Sequence, residues 1–278
     1  MTPGKRHSDF IEVPLRLPSV GIAIVLLVVA VLSIVLIIPG GGSGLGPAML
    51  LGLLLLALIR RLDYAVHVAL ISLLTLLLLT YFPFLRIWPL SILLPLTAYG
   101  VIVSLIPTLR QSVGWIRKGS MNSDVIRLIV VTVIVSAFAL VAWMLLLKPD
   151  IERHLALVPD VPFWTYPLIG IFFAVSNAVM EESVYRGILM EALDSALGPG
   201  CWSVYIQALP FAALHYLSGF PNGGLGFFMT LVYGIMLGSI RRISKGMLAP
   251  IVAHIVADLT IFSIVAFVIV QSRYETMM

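Results

Sequence analysis

Three short polar motifs stand out in the apolar second half of the chain, because they contain the side chains that hydrolysis requires. They are Glu181-Glu182-x-x-x-Arg186, Phe211-x-x-x-His215 and His254-x-x-x-Asp258. Each lies inside, or at the end of, a hydrophobic stretch long enough to cross a bilayer. Ionisable groups at membrane depth are costly, so they usually face each other or a wet cavity and mark a functional site. Together these acids, histidines and arginine are sufficient for a hydrolytic centre.

The composition is that of an all-α polytopic membrane protein. Of 278 residues, 60% are hydrophobic and 11% are charged, and the mean hydropathy is +1.10, which is more apolar than soluble domains are. Cys201 is the only cysteine, so neither a disulfide framework nor a cysteine metal cluster is expected. No basic stripe with interleaved aromatic residues occurs, and we therefore expect no nucleic-acid binding.

Apolar periodicity predicts a bundle of about eight or nine transmembrane helices. The apolar segments are roughly 19–38, 47–59, 64–85, 87–109, 126–147, 162–180, 201–218, 224–240 and 247–270. The first segment is longer than a signal-peptide core and is followed by a Gly/Pro-rich joint. It is therefore expected to be an uncleaved membrane anchor.

The distribution of basic residues predicts the orientation. With the N-terminus inside and nine crossings, Lys5, Arg6 and Arg16 join an inside set of thirteen basic residues against four outside, as the positive-inside rule requires. We expect a multi-pass protein of a bacterial or archaeal plasma membrane. Glu181 would lie near the cytosolic side, where the sixth segment ends at Met180.

A polar break at 110–124 divides the chain into two predicted domains. Residues 1–124 are expected to form an N-terminal membrane scaffold of about four spans. Residues 125–278 are expected to form the catalytic membrane domain, with the motifs inside 161–265.

Spacing within the motifs suggests some partners. Glu182 and Arg186 are four apart on a helix, which suits a charge-assisted hydrogen bond, while Glu181 points about 100° away. An unpaired carboxylate at Asp258 would be costly, and His254 is its nearest partner in sequence. A purely structural His–Asp pair stays open, and His215 taken alone could be a core histidine bonded to a carbonyl.

The three motifs resemble those of a known protease family. The sequences EESVYRG at 181–187, FAALH at 211–215 and HIVAD at 254–258 are similar, in order and spacing, to the motifs of the CAAX prenyl endopeptidase and bacteriocin-processing (CPBP) family. The resemblance covers roughly 161–265. It implies a glutamic-type intramembrane endopeptidase.

The resemblance also implies a role for each motif residue. Glu181 and His215 would activate the attacking water, while Glu182 and Arg186 would support the first motif. His254 and position 258 would stabilise the oxyanion. Prenyl-protein endopeptidases usually carry Asn at the last position, whereas this chain carries Asp258. Asp258 could be a protonated donor, because an apolar site can keep an Asp neutral; it could also orient His254 or bind a metal.

The residues leave three alternatives to a metal-free protease. Two histidines and several carboxylates could bind zinc, although HExxH spacing is absent and we expect no cofactor. A transporter could relay protons through the same acids, but no inverted repeat of broken helices is visible. A non-catalytic scaffold or immunity protein is the third. The expected partners are the lipid bilayer and a membrane-tethered protein or peptide substrate, prenylated or not.

Overall fold

The structure is a computed structural model that describes residues 18–38 and 44–277, with the side chains of 153 and 272–277 excepted. Lys5, Arg6 and Arg16, and part of the Gly/Pro-rich joint, lie outside the described residues. Within these ranges every long element is a helix. The helices are α1 (Ser19–Ile37), α2 (Leu45–Ile59), α3 (Asp63–Tyr81), α4 (Leu90–Leu105), α5 (Pro107–Ser112), α6 (Ser123–Leu147), α7 (Glu152–Leu155), α8 (Tyr166–Glu182), α9 (Met190–Leu197), α10 (Cys201–Ser218), α11 (Gly223–Ser244) and α12 (Leu248–Met277).

The predicted fold class, an all-helical polytopic membrane protein, is confirmed. Six helical stretches of the described chain are long and apolar enough to cross a membrane: Ser19–Ile37, Asp63–Tyr81, Ser123–Leu147, Phe163–Leu197, Gly223–Ser244 and Leu248–Gln271. The shorter apolar helices α2 and α4 add to them, so eight or nine spans is an approximate count. Large hydrophobic side chains such as Phe138 and Leu146 are exposed, as expected of a lipid-facing surface.

Small residues bring α10 and α11 close together. Gly234 and Gly238 lie one turn apart on α11, and a Cβ atom added at Gly234 would lie 3.0 Å from the Ala208 Cβ. At Gly238 it would lie 2.7 Å from Gln207 Nε2. Such spacing of small residues lets helix backbones approach in a membrane. Gln207 Nε2 also donates to the Gly234 carbonyl at 2.8 Å, so the helix that carries His215 is fixed against α11.

Helices from both halves of the chain share one core. Its buried residues include Val25 of α1, Leu50 of α2, Ala69 of α3, Leu193 of α9 and Phe211 of α10. The two parts of the chain on either side of residue 124 therefore pack together. Their division into a scaffold and a catalytic domain stays a prediction.

The connection between α5 and α6 crosses the ends of the later helices. Met247 N donates to Arg117 O at 2.7 Å, and Ser120 N donates to Ser244 O at 2.8 Å. The Trp115 ring lies against Gly187, where a Cβ atom would come within 2.7 Å of it. This connection therefore packs on the helix that carries the first motif.

Candidate active site

The first motif lies in the middle of a long helix. Helix α8 continues through a π-helical segment, Ser183–Leu189, directly into α9. The helix therefore continues beyond the end of the sixth apolar segment at Met180, and Glu181 lies midway along it. Buried partners stabilise the acid pair within the helix. The placement of Glu181 near the cytosolic side stays a prediction. π turns are rare in proteins, and those that occur are frequently at functional sites.

Glu182 and Arg186 form a fully buried ion pair. Arg186 Nη1 donates to Glu182 Oε1 at 2.7 Å, and both side chains have 0% exposure. Arg186 Nη2 donates to the Gly234 carbonyl at 3.3 Å, and its guanidinium lies 4.4 Å from the centre of the Phe211 ring. The expected hydrogen bond is present, and the arginine also joins the first motif to the second and to α11.

Three carboxylates surround His254. Its Nδ1 lies 2.8 Å from Glu182 Oε1, and a carboxylate accepts, so Nδ1 carries a proton. Its Nε2 lies 3.4 Å from Glu181 Oε2 and 3.7 Å from Asp258 Oδ1. The ion-pair contact between His254 and Asp258 that the sequence suggested is present, but the hydrogen bond of His254 goes to Glu182 of the first motif.

Asn177 is the hydrogen-bond partner of Asp258, and sequence reasoning missed it. Asn177 Nδ2 donates to Asp258 Oδ2 at 3.2 Å, and Asn177 Oδ1 accepts from the Trp88 indole at 3.0 Å. Asn177 lies one turn before Glu181 and is buried. A single amide in an otherwise apolar run, four residues before a candidate base, was the available signal.

His215 is oriented by its own helix. Its Nδ1 lies 2.9 Å from the Phe211 carbonyl. A carbonyl only accepts, so Nδ1 carries the proton and Nε2 presents a lone pair. The bond to a carbonyl, which would be expected of a core histidine, here leaves the other nitrogen available as a base.

A cavity of about 1080 Å³ brings most of the predicted residues together. Glu181, His215, His254, Asp258 and Asn177 all line it, and the remaining wall is mainly apolar. Glu182 and Arg186 are not part of the lining and lie behind it. Glu181 Oε2 is buried and accepts no hydrogen bond from any described residue, so it can accept one from a water molecule.

Comparison with protein families supports the interpretation of this cavity as a hydrolytic site. Residues 162–260 match the family model "Type II CAAX prenyl endopeptidase Rce1-like". Over this region the chain is similar to the Rce1-like family. The resemblance inferred from the three motifs is thereby confirmed, and the chain is a membrane peptidase, a hydrolase of the CPBP type. Searches of curated proteins and of solved structures gave no significant match.

The Rce1-like region starts after α4 and α6. It therefore includes all three motifs and Asn177, but not Trp88. Across the described residues, no group of three His, Cys, Asp or Glu side chains is arranged as a metal site.

Gly219 of the Rce1-like region sets the space available to His215. A Cβ atom added there would collide with Cδ2 of the His215 ring, the atom next to Nε2. The backbone of Gly219 is extended, with φ −80° and ψ 176°, which alanine can adopt. The Cβ atom would also lie 2.6 Å from the Cα atom of His215, so both the ring and the backbone of His215 must shift. We expect Gly219→Ala to lower kcat by roughly 10²-fold, the effect of misplacing a catalytic group by about 1 Å.

The matched control for this prediction is Gly52→Ala. A Cβ atom at Gly52 would meet nothing within 4 Å, so this variant should cleave like the wild type. Initial rates and thermal unfolding in detergent measure both variants. Wild-type activity in a folded Gly219→Ala protein would contradict the contact.

Proposed function

We propose that the chain is an intramembrane endopeptidase that hydrolyses a peptide bond of a membrane-associated protein or peptide without a metal ion. The observation that carries this proposal is the shared cavity, which Glu181, His215, His254 and Asp258 all line together with apolar side chains. An apolar cavity within the bundle suits a substrate that is presented from the lipid.

Glu181 holds the attacking water, and His215 acts first as the base and then as the acid. Glu181 Oε2 accepts a hydrogen bond from the water, and His215 Nε2 takes its proton as the oxygen attacks the carbonyl carbon. The protonated His215 then gives that proton to the leaving amine. General acid–base steps of this kind contribute roughly 10²–10⁴-fold each.

His254 and Asp258 stabilise the oxyanion. Since Nδ1 of His254 is held by Glu182, Nε2 is the nitrogen that can donate toward the cavity. Three ionised acids would leave the buried site negative against Arg186 and a protonated His254. A neutral Asp258 removes that excess and provides a second donor, and donors aimed at developing charge are a large catalytic contribution.

Cleavage of a fluorogenic peptide panel by the purified protein in detergent tests this function. The panel includes lipid-anchored and soluble versions of each peptide. We expect cleavage of anchored peptides, no cleavage by Glu181→Ala, and normal rates for Glu152→Gln, which removes an exposed carboxylate on α7. Cleavage that persists in Glu181→Ala would exclude the mechanism.

Metal independence is a separate expectation. Because Glu181 and His215 activate the water directly, extended treatment with a strong chelator should leave the cleavage rate unchanged. Elemental analysis of active protein should find well under one zinc per chain. Stoichiometric zinc that disappears together with activity in Asp258→Ala would establish the zinc alternative instead.

Asp258→Asn tests the neutral donor. An amide has nearly the size of the carboxylic acid and can donate without holding a proton, so the variant should keep or raise kcat. Wild-type activity should fall as rising pH removes the Asp258 proton, and the Asn variant should stay active there. An inactive but folded variant would show that Asp258 acts as an anion, since triad aspartates lose about 10⁴-fold on such a change.

A further inference from the structure

Two hydrogen bonds connect Trp88, at the start of α4, through Asn177 to Asp258. Trp88 precedes α4, and its indole Nε1 lies 3.0 Å from Asn177 Oδ1. Asn177 Nδ2 lies 3.2 Å from Asp258 Oδ2. All three residues line the cavity, so the connection runs along its wall.

The indole N–H of Trp88 determines which atoms in this connection donate and which accept. An indole N–H only donates, so the atom of Asn177 that faces Trp88 must be its carbonyl oxygen. The amide nitrogen then faces Asp258 and donates to Oδ2. A carboxylic acid whose Oδ2 accepts carries its proton on Oδ1, which is the oxygen nearest His254 Nε2, at 3.7 Å.

We propose that Trp88, acting through Asn177, is a positioning residue that places the Asp258 donor proton on Oδ1 beside His254. The proposal rests on the proposed function, in which Asp258 and His254 donate to the same oxyanion. Trp88 lies outside the matched region 162–260, so the first half of the chain contributes to the orientation of a catalytic group.

The surroundings of Trp88 hold its ring in place. The ring centre lies 5.0 Å from that of Phe173 and 6.3 Å from that of Phe172, both on α8. Phe172, Phe173 and Asn177 are successive contacts along one helix. Aromatic packing fixes the ring, and the fixed ring then fixes the direction of the indole N–H.

Trp88→Phe removes the donor and keeps an aromatic ring. We expect kcat to fall roughly threefold to tenfold, the size of one net hydrogen bond, with little change in KM. Trp164→Phe is the matched control, because Trp164 is an exposed tryptophan that is not part of the cavity lining. In an Asn177→Ala background, Trp88→Phe should have no further effect on kcat. A full effect in that background would show that Trp88 acts through packing, and would overturn the proposal.

A swap of the two polar groups separates positioning from a structural hydrogen bond. In Asn177→Asp/Asp258→Asn a bond between the positions is restored, but the new carboxylate at 177 accepts from the new amide at 258. The amide nitrogen at 258 then faces position 177 and not His254. We expect the double variant to unfold at the same temperature as Asp258→Asn alone. Its kcat should be at least tenfold lower than that of Asp258→Asn. If the swap is as active as Asp258→Asn, the polarity argument is wrong.

These measurements separate the proposal from the function on which it rests. If the wild-type protein shows no cleavage that Glu181→Ala abolishes, the proposed function is refuted. The Trp88→Phe and Asn177→Ala cycle, measured as unfolding temperature, reports the hydrogen bond without reference to activity, and non-additive shifts are expected. Wild-type cleavage that depends on Glu181, together with an unaffected Trp88→Phe variant, would overturn the positioning role alone.

Discussion

Glu181→Ala and His215→Ala are each expected to lower kcat by at least roughly 10²–10⁴-fold, the contribution of a general acid–base group. Because the two side chains act on one water molecule, the double variant should be no slower than either single variant. Residues that act as a unit lose their joint contribution when either one is removed. Single-turnover rates with an anchored peptide measure all three variants.

Glu181→Gln is the sharper version of this test. Glutamine keeps the size and position of the side chain on α8 but has no negative charge with which to polarise the water. A folded and inactive Glu181→Gln protein therefore identifies the charge as the lost property, whereas losses that add in the Glu181→Ala/His215→Ala double variant would refute the shared water.

Arg186→Met is expected to have the largest effect on stability. The arginine is fully buried between Glu182, the Gly234 carbonyl and the Phe211 ring. Its removal leaves the Glu182 carboxylate buried with His254 as its remaining partner. Breaking a buried ion pair at one end costs about 3–5 kcal/mol. Thermal unfolding in detergent should show a lower transition temperature, accompanied by loss of cleavage.

The double variant Glu182→Gln/Arg186→Met distinguishes charge from volume. Removing both charges takes away the uncompensated anion, so part of the lost stability should return. Activity should not return, because Glu182 also holds His254 Nδ1. Equal destabilisation in the single and double variants would mean that the packing of Arg186, and not its charge, stabilises this region.

The sequence predicted the fold class, and also that certain ionisable side chains lie together, for clear physical reasons. Long apolar runs require helices in a bilayer, and each of the predicted apolar segments overlaps a helix of the structure. Ionisable side chains in such runs must find partners, so Glu181, His215, His254 and Asp258 could be expected to meet. The structure places all four on one cavity.

Partner choice was beyond what spacing could predict. His254 and Asp258 are one turn apart, yet His254 bonds to Glu182 and Asp258 to Asn177, both on a different helix. Pairing across helices depends on how α8 and α12 pack. The rule that residues four apart on one helix are neighbours carries no information about that packing. Trp88 was missed for the same reason, because it belongs to a loop far away in sequence.

The acid pair Glu181-Glu182 suggested the inner end of the sixth span because two adjacent acids usually lie at a membrane surface. In the structure Arg186 and His254 compensate Glu182 inside the bundle, and the helix continues to Leu197. A burial penalty estimated one residue at a time overstates the cost when partners lie one turn away or on another helix.

The π-helical segment Ser183–Leu189 sets which face of α9 meets the core. Each residue added to or removed from an α-helix turns everything downstream by about 100°. A single-codon deletion just after the segment would therefore rotate Leu193 and Ala196 out of the core they share with α1 and α3, and Asp194 away from Arg242. Within the segment, the loss of one residue can instead convert an i→i+5 turn to an ordinary i→i+4 turn, which disturbs the downstream register less. Changes in chain length are therefore better absorbed within Ser183–Leu189 than in the turns that follow it.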